Sequence, residues 1–229
     1  MDAESVGGAR SRLLGSVPSP DGEAAAEILA ACPTVDVIAG EPYFRSSLPA
    51  GALLIVERGF VILRVTLPRT DRSIITCDAG PGRVVLPPAS EEVLFALVDS
   101  KVTVISPEVL DALLALPGVA RTLLGQLVVT LRQKQEAIGT FGSARHIERV
   151  RRKLLQLARN YGRVALDGVR IDFPLSHTLL ADMVGSSRET VTRSLDELRR
   201  DGFVARRGHN YRLLVSPDCV ALATGPSRS

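Results

Sequence analysis

The apolar positions of this chain change period along its length, and each change marks a change of architecture. Residues 1–22 hold no sustained pattern. They are rich in Gly, Ser, Pro and Ala, end in Pro18, Pro20 and Gly22, and read as a flexible leader. An Ala/Leu helical pattern over residues 23–32 stops at Pro33. From residue 34 the apolar residues fall into short, β-branched runs, at 35–38, 53–56, 61–65, 74–76, 84–86, 93–98 and 102–105. Turn residues separate them: Ala39-Gly40, Pro49-Ala50-Gly51, Arg58-Gly59, Pro68-Arg69-Thr70-Asp71 and Gly80-Pro81-Gly82. Many short strands at this spacing predict an antiparallel sandwich or barrel.

The period then lengthens to that of a helix. Ser106-Pro107-Glu108 is a helix start, with a capping hydroxyl, a proline at the first helical position and an acid in the first turn. Pro117 breaks that helix, and a longer one is predicted over residues 118–141. Ala120, Leu124, Leu127, Leu131, Lys134, Ile138 and Phe141 alternate spacings of four and three, a heptad seam with one polar position. Two readings fit: an amphipathic helix packed on its own domain, or a parallel dimer helix. Gly139, Gly142 and Ser143 then read as a hinge. Residues 144–161 are helical again, with Ile147, Val150, Leu154, Leu155, Leu157 and Ala158 as the apolar face. Two short strands follow, around 163–165 and 169–173, joined through Asp167-Gly168.

Residues 174–204, PLSHTLLADMVGSSRETVTRSLDELRRDGFV, carry the most information. Ser176 can cap a short helix running to Val184. Gly185 supplies a tight turn, and Ser186 or Ser187 caps a second helix from Arg188 to about Arg200. Ala181, Gly185 and Val191 stand where a helix-turn-helix needs a small residue, a turn-former and an inward-packing residue. With Leu179, Leu180, Val184, Val191, Leu195 and Leu198 inward, Arg188, Glu189, Thr192 and Arg193 point outward from the start of the second helix. Residues 203–207 and 211–215, around Gly208-His209-Asn210, predict a β-hairpin. The unit is a winged helix-turn-helix, with Arg206, Arg207 and His209 near the wing tip, suited to phosphate.

Charge agrees with this division. Residues 1–143 hold 12 basic and 16 acidic residues, and residues 144–229 hold 16 basic and 9 acidic, so a basic segment follows an acidic one. Only Lys101, Lys134 and Lys153 are lysines, and arginine is the residue that pairs bidentately with guanine and phosphate. Of the 229 residues the longest run free of charge is 11, residues 46–56, well short of the roughly 20 a membrane helix needs. No secretory pattern opens the chain. Cys32, Cys77 and Cys219 are few and far apart, which disfavours a disulfide framework or zinc ribbon and suits a reducing cytoplasm. No nucleophile–base arrangement, P-loop or metal-spaced histidine cluster can be picked out, so the chain reads as a binding protein, not an enzyme, with neither cofactor nor metal.

The run GSSRETVTRSLDEL, followed by a Gly-Phe-Val strand and an Arg-Arg-Gly wing, resembles the CRP/FNR family of bacterial transcription regulators. The order of parts is similar over about residues 24–216. The resemblance implies an α+β chain. A leader (1–22) precedes a cyclic-nucleotide-binding-like antiparallel β-roll (23–116). A dimerisation helix and hinge (117–142) and a winged helix-turn-helix (143–229) follow. It implies a homodimer that binds double-stranded DNA, with RNA polymerase as a further partner. In the family this motif reads a half-site of the GTGA kind. Arg188, Glu189 and Arg193 fall on the base-reading positions; Ser187, Thr190 and Arg207 fall on phosphate-contacting ones. Arginine pairs with guanine O6 and N7, and glutamate accepts from cytosine N4.

Members that bind cyclic nucleotides carry a Gly-Glu pair and, some ten residues on, an Arg-Ser or Arg-Thr pair; the glutamate holds the ribose and the arginine the phosphate. Here, in GPGRVVLPPASEEVLFALV, Gly82 is followed by Arg83, and Glu91-Glu92 stand near the arginine's place. Carboxylates there repel a phosphate, so cAMP is not the expected effector. The alternative is a sensor gated by redox at Cys32 or Cys77, or by another ligand, such as a cyclic dinucleotide near Arg83.

Overall fold

The computed structural model describes residues 17–18, 20–43, 48–68, 72–139, 145–208 and 210–216. The chain divides into two compact units, Met1–Glu136 and Ala137–Ser229.

In the first unit, helix α1 (Asp21–Ala30) leads into strands β1 (Thr34–Val37), β2 (Pro42–Tyr43), β3 (Leu53–Thr66), β4 (Ser73–Ala79), β5 (Val84–Val85) and β6 (Glu92–Ile105). They form one antiparallel sheet of order β1-β6-β3-β4, with β2 on β6 and β5 on β3. The Leu53–Val56 run is continuously apolar because both faces of β3 are covered. Leu54 and Val56 join Leu63, Leu94, Val102 and Val104 in one core. Leu53 and Ile55 turn the other way, against Leu29, Leu113, Val119 and Leu123 from the helices.

Two strand breaks expected from the sequence do not occur. The runs at 53–56 and 61–65 are one 14-residue strand, as are those at 93–98 and 102–105. Arg58-Gly59 is a bulge within β3, where the register against β6 slips. Gly59 has a φ of +88°, and a Cβ there would fall 2.7 Å from the Cα of Ser100. The Ser100 hydroxyl accepts from the Phe60 N–H (3.0 Å) and donates to the Val98 carbonyl (2.6 Å), stitching both strands at the bulge.

Helix α2 (Pro107–Leu114) starts as expected, its first turn capped by Ser106, which accepts from Val109 N–H. Helix α3 (Pro117–Gly139) begins at the proline itself. Its Gly118 N–H donates to the Asp21 carboxylate across 2.7 Å, tying its N-terminus to α1. Val119, Leu123 and Thr130 are buried, while Leu124, Val128 and Leu131 are 64%, 40% and 53% exposed. The expected seam therefore divides. Leu124 and Leu131 face outward with Val128; Ala120 is half-buried, and Leu127 packs on the unit's own core. Lys134 does not sit on an outward seam either: its ammonium lies 2.5 Å from Glu92 in the sheet. Seam positions four and three residues apart lie about 40° to 60° apart around a 3.6-residue helix, so one row meets the core while the other faces out. The Ile138 side chain and Phe141 lie outside the described residues.

In the second unit, α4 (His146–Tyr161) precedes β7 (Gly162–Ala165) and β8 (Gly168–Ile171), then α5 (His177–Val184), α6 (Arg188–Arg200), β9 (Val204–Arg207) and β10 (Asn210–Leu213). Its sheet is antiparallel, of order β7-β8-β10-β9. Val150, Leu154, Leu157 and Ala158 of α4 are buried, and α4 packs against α6. No single described helix is long and apolar enough to cross a membrane; α2 and α3 reach that length only as a pair bent by 118°.

Candidate nucleic-acid interface

Helices α5 and α6 are joined by three residues, Gly185-Ser186-Ser187. Ser176 accepts from Leu179 N–H (3.0 Å) and starts α5. Gly185 ends it in the left-handed region, φ 61°, ψ 46°, its N–H returning to the Ala181 carbonyl. Ser187, not Ser186, caps α6: its hydroxyl oxygen accepts from Thr190 N–H across 3.2 Å and lies 3.0 Å from the Thr190 hydroxyl. Ser186 is buried, 2.9 Å from Nδ1 of His146, which ties the turn to the start of α4. Inside, Leu180, Ala181, Met183, Val184, Val191, Leu195 and Leu198 are all buried.

That packing fixes which residues of α6 face solvent. Arg188, Glu189 and Arg193 are exposed on its first turns. The Glu189 carboxyl is held below the usual carboxylate value. Its own backbone N–H at the helix N-terminus contributes most, then the Ser187 hydroxyl, with Arg188 and Arg193 adding to it. At neutral pH the face therefore presents one anionic acceptor between two guanidinium donors, the groups that match cytosine N4 and guanine O6/N7 in a major groove. Thr190 is half-buried, and so is Thr192, whose hydroxyl donates to the Arg188 carbonyl (2.9 Å).

The wing closes the other side. Asn210 pairs with Arg207 and Tyr211 with Arg206 across β9 and β10. The Arg206 Nε–H donates to the Gly208 carbonyl (2.8 Å), and its guanidinium lies over the Tyr211 ring. Arg151 of α4 sits 4.8 Å from the Phe203 ring centroid at the start of the wing. Arg207 lies in β9; its side chain, and His209, are outside the described residues. The residue not anticipated as part of this region is His177. It follows the α5 cap, contacts both Thr192 and Arg206, and carries no period or motif that announces it.

In the first unit the two positions of interest are both engaged by α3. Glu92 is buried; its Oε1 accepts from Lys134 (2.5 Å) and Thr76 (2.6 Å), and its Oε2 from Ala89 N–H (3.0 Å). Burial alone would raise this carboxyl. The Ala89 N–H, the Lys134 ammonium and the Thr76 hydroxyl outweigh it and hold it below its ordinary value. Arg83 donates to Gln126 (3.3 Å). Cys32 and Cys77 are buried thiols, Cys77 3.4 Å from Gln133 of α3.

Residues 148–223 match the Crp-like helix-turn-helix domain family. The chain is 36% identical over 104 residues to the global nitrogen regulator of Synechococcus elongatus, covering 45% of this chain and 46% of that one. The match thus spans about half the length of that curated relative. A CRP-family transcriptional regulator from Thermus thermophilus superposes with a TM-score of 0.61 at 26% identity, over 79% of this chain and 92% of that one. FixK2 from Bradyrhizobium japonicum gives a TM-score of 0.69 at 21% identity, over 86% and 100%. Residues 148–223 thus form a Crp-like helix-turn-helix domain, and the chain as a whole is similar in fold to solved CRP/FNR-type regulators, with an antiparallel sheet ahead of that domain.

Proposed function

We propose that this chain is a homodimeric, sequence-specific transcription regulator of the bacterial cytoplasm, which reads an inverted-repeat operator. One observation carries the reading: Arg188, Glu189 and Arg193 stand together on the exposed first turns of a helix that a left-handed Gly185 and a capping Ser187 hold out. Arg188 and Arg193 donate to guanine, and Glu189 accepts from cytosine, in a half-site of the GTGA kind. A placed carboxylate serves selection between bases; for phosphate affinity alone it is a cost. Ser187, Thr190, Arg206, Arg207 and His209 supply phosphate contacts that set register. The outward row Leu124, Val128 and Leu131 supports self-association, and two copies make the operator an inverted repeat with half-sites about 34 Å apart. RNA polymerase is the further partner the family implies.

We also propose that the protein binds DNA without cAMP. Glu92 accepts from Lys134, Thr76 and Ala89, and Arg83 donates to Gln126. Side chains of α3 thus take up both positions that the family's nucleotide cassette brings to attention. The same contacts count against a ligand held by Arg83. The test is selection from a random pool of duplexes with the purified protein and nothing added. An enriched inverted repeat with symmetric half-sites supports the proposal; enrichment that appears only with cAMP present contradicts its second part.

A further inference from the structure

His177 is the first residue of α5, and its ring contacts side chains of two other elements, α6 and β9. Its Nε2 lies 2.8 Å from a terminal nitrogen of Arg206 on β9, and its Nδ1 lies 2.7 Å from the Thr192 hydroxyl on α6. Thr192 in turn donates to the Arg188 carbonyl in the first turn of α6 (2.9 Å). Arg206 continues the chain outward through its Nε–H to the Gly208 carbonyl at the wing turn (2.8 Å).

The proton inventory of this chain has one solution. A guanidinium has donors only, so Nε2 of His177 must accept. The single hydroxyl proton of Thr192 goes to the Arg188 carbonyl, so its oxygen accepts and Nδ1 of His177 must donate. Only a neutral imidazole with its proton on Nδ1 fills both roles, the opposite of the tautomer free histidine prefers.

We infer that neutral His177 is a positioning residue for DNA recognition: it fixes the wing, through Arg206, to the helix that carries Arg188, Glu189 and Arg193. An imidazolium has no lone pair for Arg206 and sets a like charge against it, so protonation breaks the link at that end. The charged and titratable groups around the ring are Arg206 from β9, Arg188, Asp196 and Arg199 from α6, and Tyr211 from β10. Burial, then Arg206 and Arg188, hold the imidazole below its ordinary value, against the opposing pull of Asp196. The link is therefore intact above the ordinary histidine value of about 6.5 and is lost only as pH falls through the depressed value below it.

This inference rests on the DNA-binding reading, and its test has one arm that does not. Nitrogen-15 NMR of the full chain without DNA should show His177 protonated at Nδ1 and bare at Nε2 at about pH 7.5. A proton on Nε2 overturns the inference whether or not DNA binds. The second arm is operator affinity at constant ionic strength. His177→Leu and Thr192→Val should each weaken it roughly five- to tenfold at neutral pH. His177→Gln, whose amide both accepts and donates but does not titrate, should restore most of the loss. The wild type should lose affinity relative to His177→Gln as pH falls from about 7.5 to about 5.5. A side chain that merely touches phosphate would gain affinity over that range, and that sign overturns the inference, as does a His177→Leu protein that binds like the wild type. A wild type that binds no duplex instead fails the DNA-binding reading itself.

Discussion

Lys134 Nζ lies 2.5 Å from Oε1 of Glu92, so Lys134 of α3 is spent on a buried carboxylate at the start of β6. The pair fastens the long helix to the sheet. Removing one partner leaves a buried charge alone, so Lys134→Met should destabilise the chain by roughly 2 to 4 kcal/mol in chemical denaturation. Glu92→Gln with Lys134→Met should recover part of that loss. Because the carboxyl is held below its ordinary value, its contribution is full above about pH 4.5 and disappears as pH falls through the depressed value. Glu92→Gln should flatten that part of the acid-stability curve.

Cyclic nucleotides should find no purchase. A buried cyclic phosphate needs a charge-assisted partner; beside the degenerate cassette Lys134 is committed to Glu92, and Arg83 donates to Gln126. Millimolar cAMP or cGMP should leave both the thermal midpoint and operator affinity unchanged. Micromolar binding in a calorimeter, with a gain of about tenfold in operator affinity, would contradict this.

The two rows of the α3 seam should behave differently. Leu124→Asp with Leu131→Asp alters exposed residues and should yield a folded monomer by light scattering, with weakened DNA binding. Leu127→Asp alters a residue packed on the core and should lower the melting temperature as well. A wild type that is monomeric both alone and on DNA would contradict the dimer.

How much of this was legible beforehand depends on how local the cause was. The caps at Ser106 and Ser176, the Gly185 turn and the outward Arg188, Glu189 and Arg193 follow from spacing along one or two helices, and they hold in the structure. Arg58-Gly59 reads as a turn because glycine marks turns and bulges alike; only the partner strand, with Ser100 against it, separates them. Lys134 fits a heptad by position, yet its partner is 42 residues away in a strand, so no pattern along α3 points to it. His177 is more remote still. Its ring is placed by Thr192 and by Arg206, 15 and 29 residues on, after the helix pair and the wing have folded together.

Base reading and backbone anchoring should separate by mutation. Arg188→Ala or Arg193→Ala should cost about 1–3 kcal/mol on the preferred duplex and relax one position per half-site. Glu189→Ala should mainly broaden base preference. Arg207→Ala should weaken all sequences alike and shallow the salt dependence.

The central claim, that α6 reads sequence, is tested most directly by competition between a selected inverted repeat and the same duplex with its half-sites scrambled, at one fixed salt concentration. The wild type should prefer the inverted repeat by about a thousandfold or more, and Arg188→Ala should lose a large part of that ratio. Equal affinity for the two duplexes, or a ratio indifferent to Arg188→Ala, would contradict it.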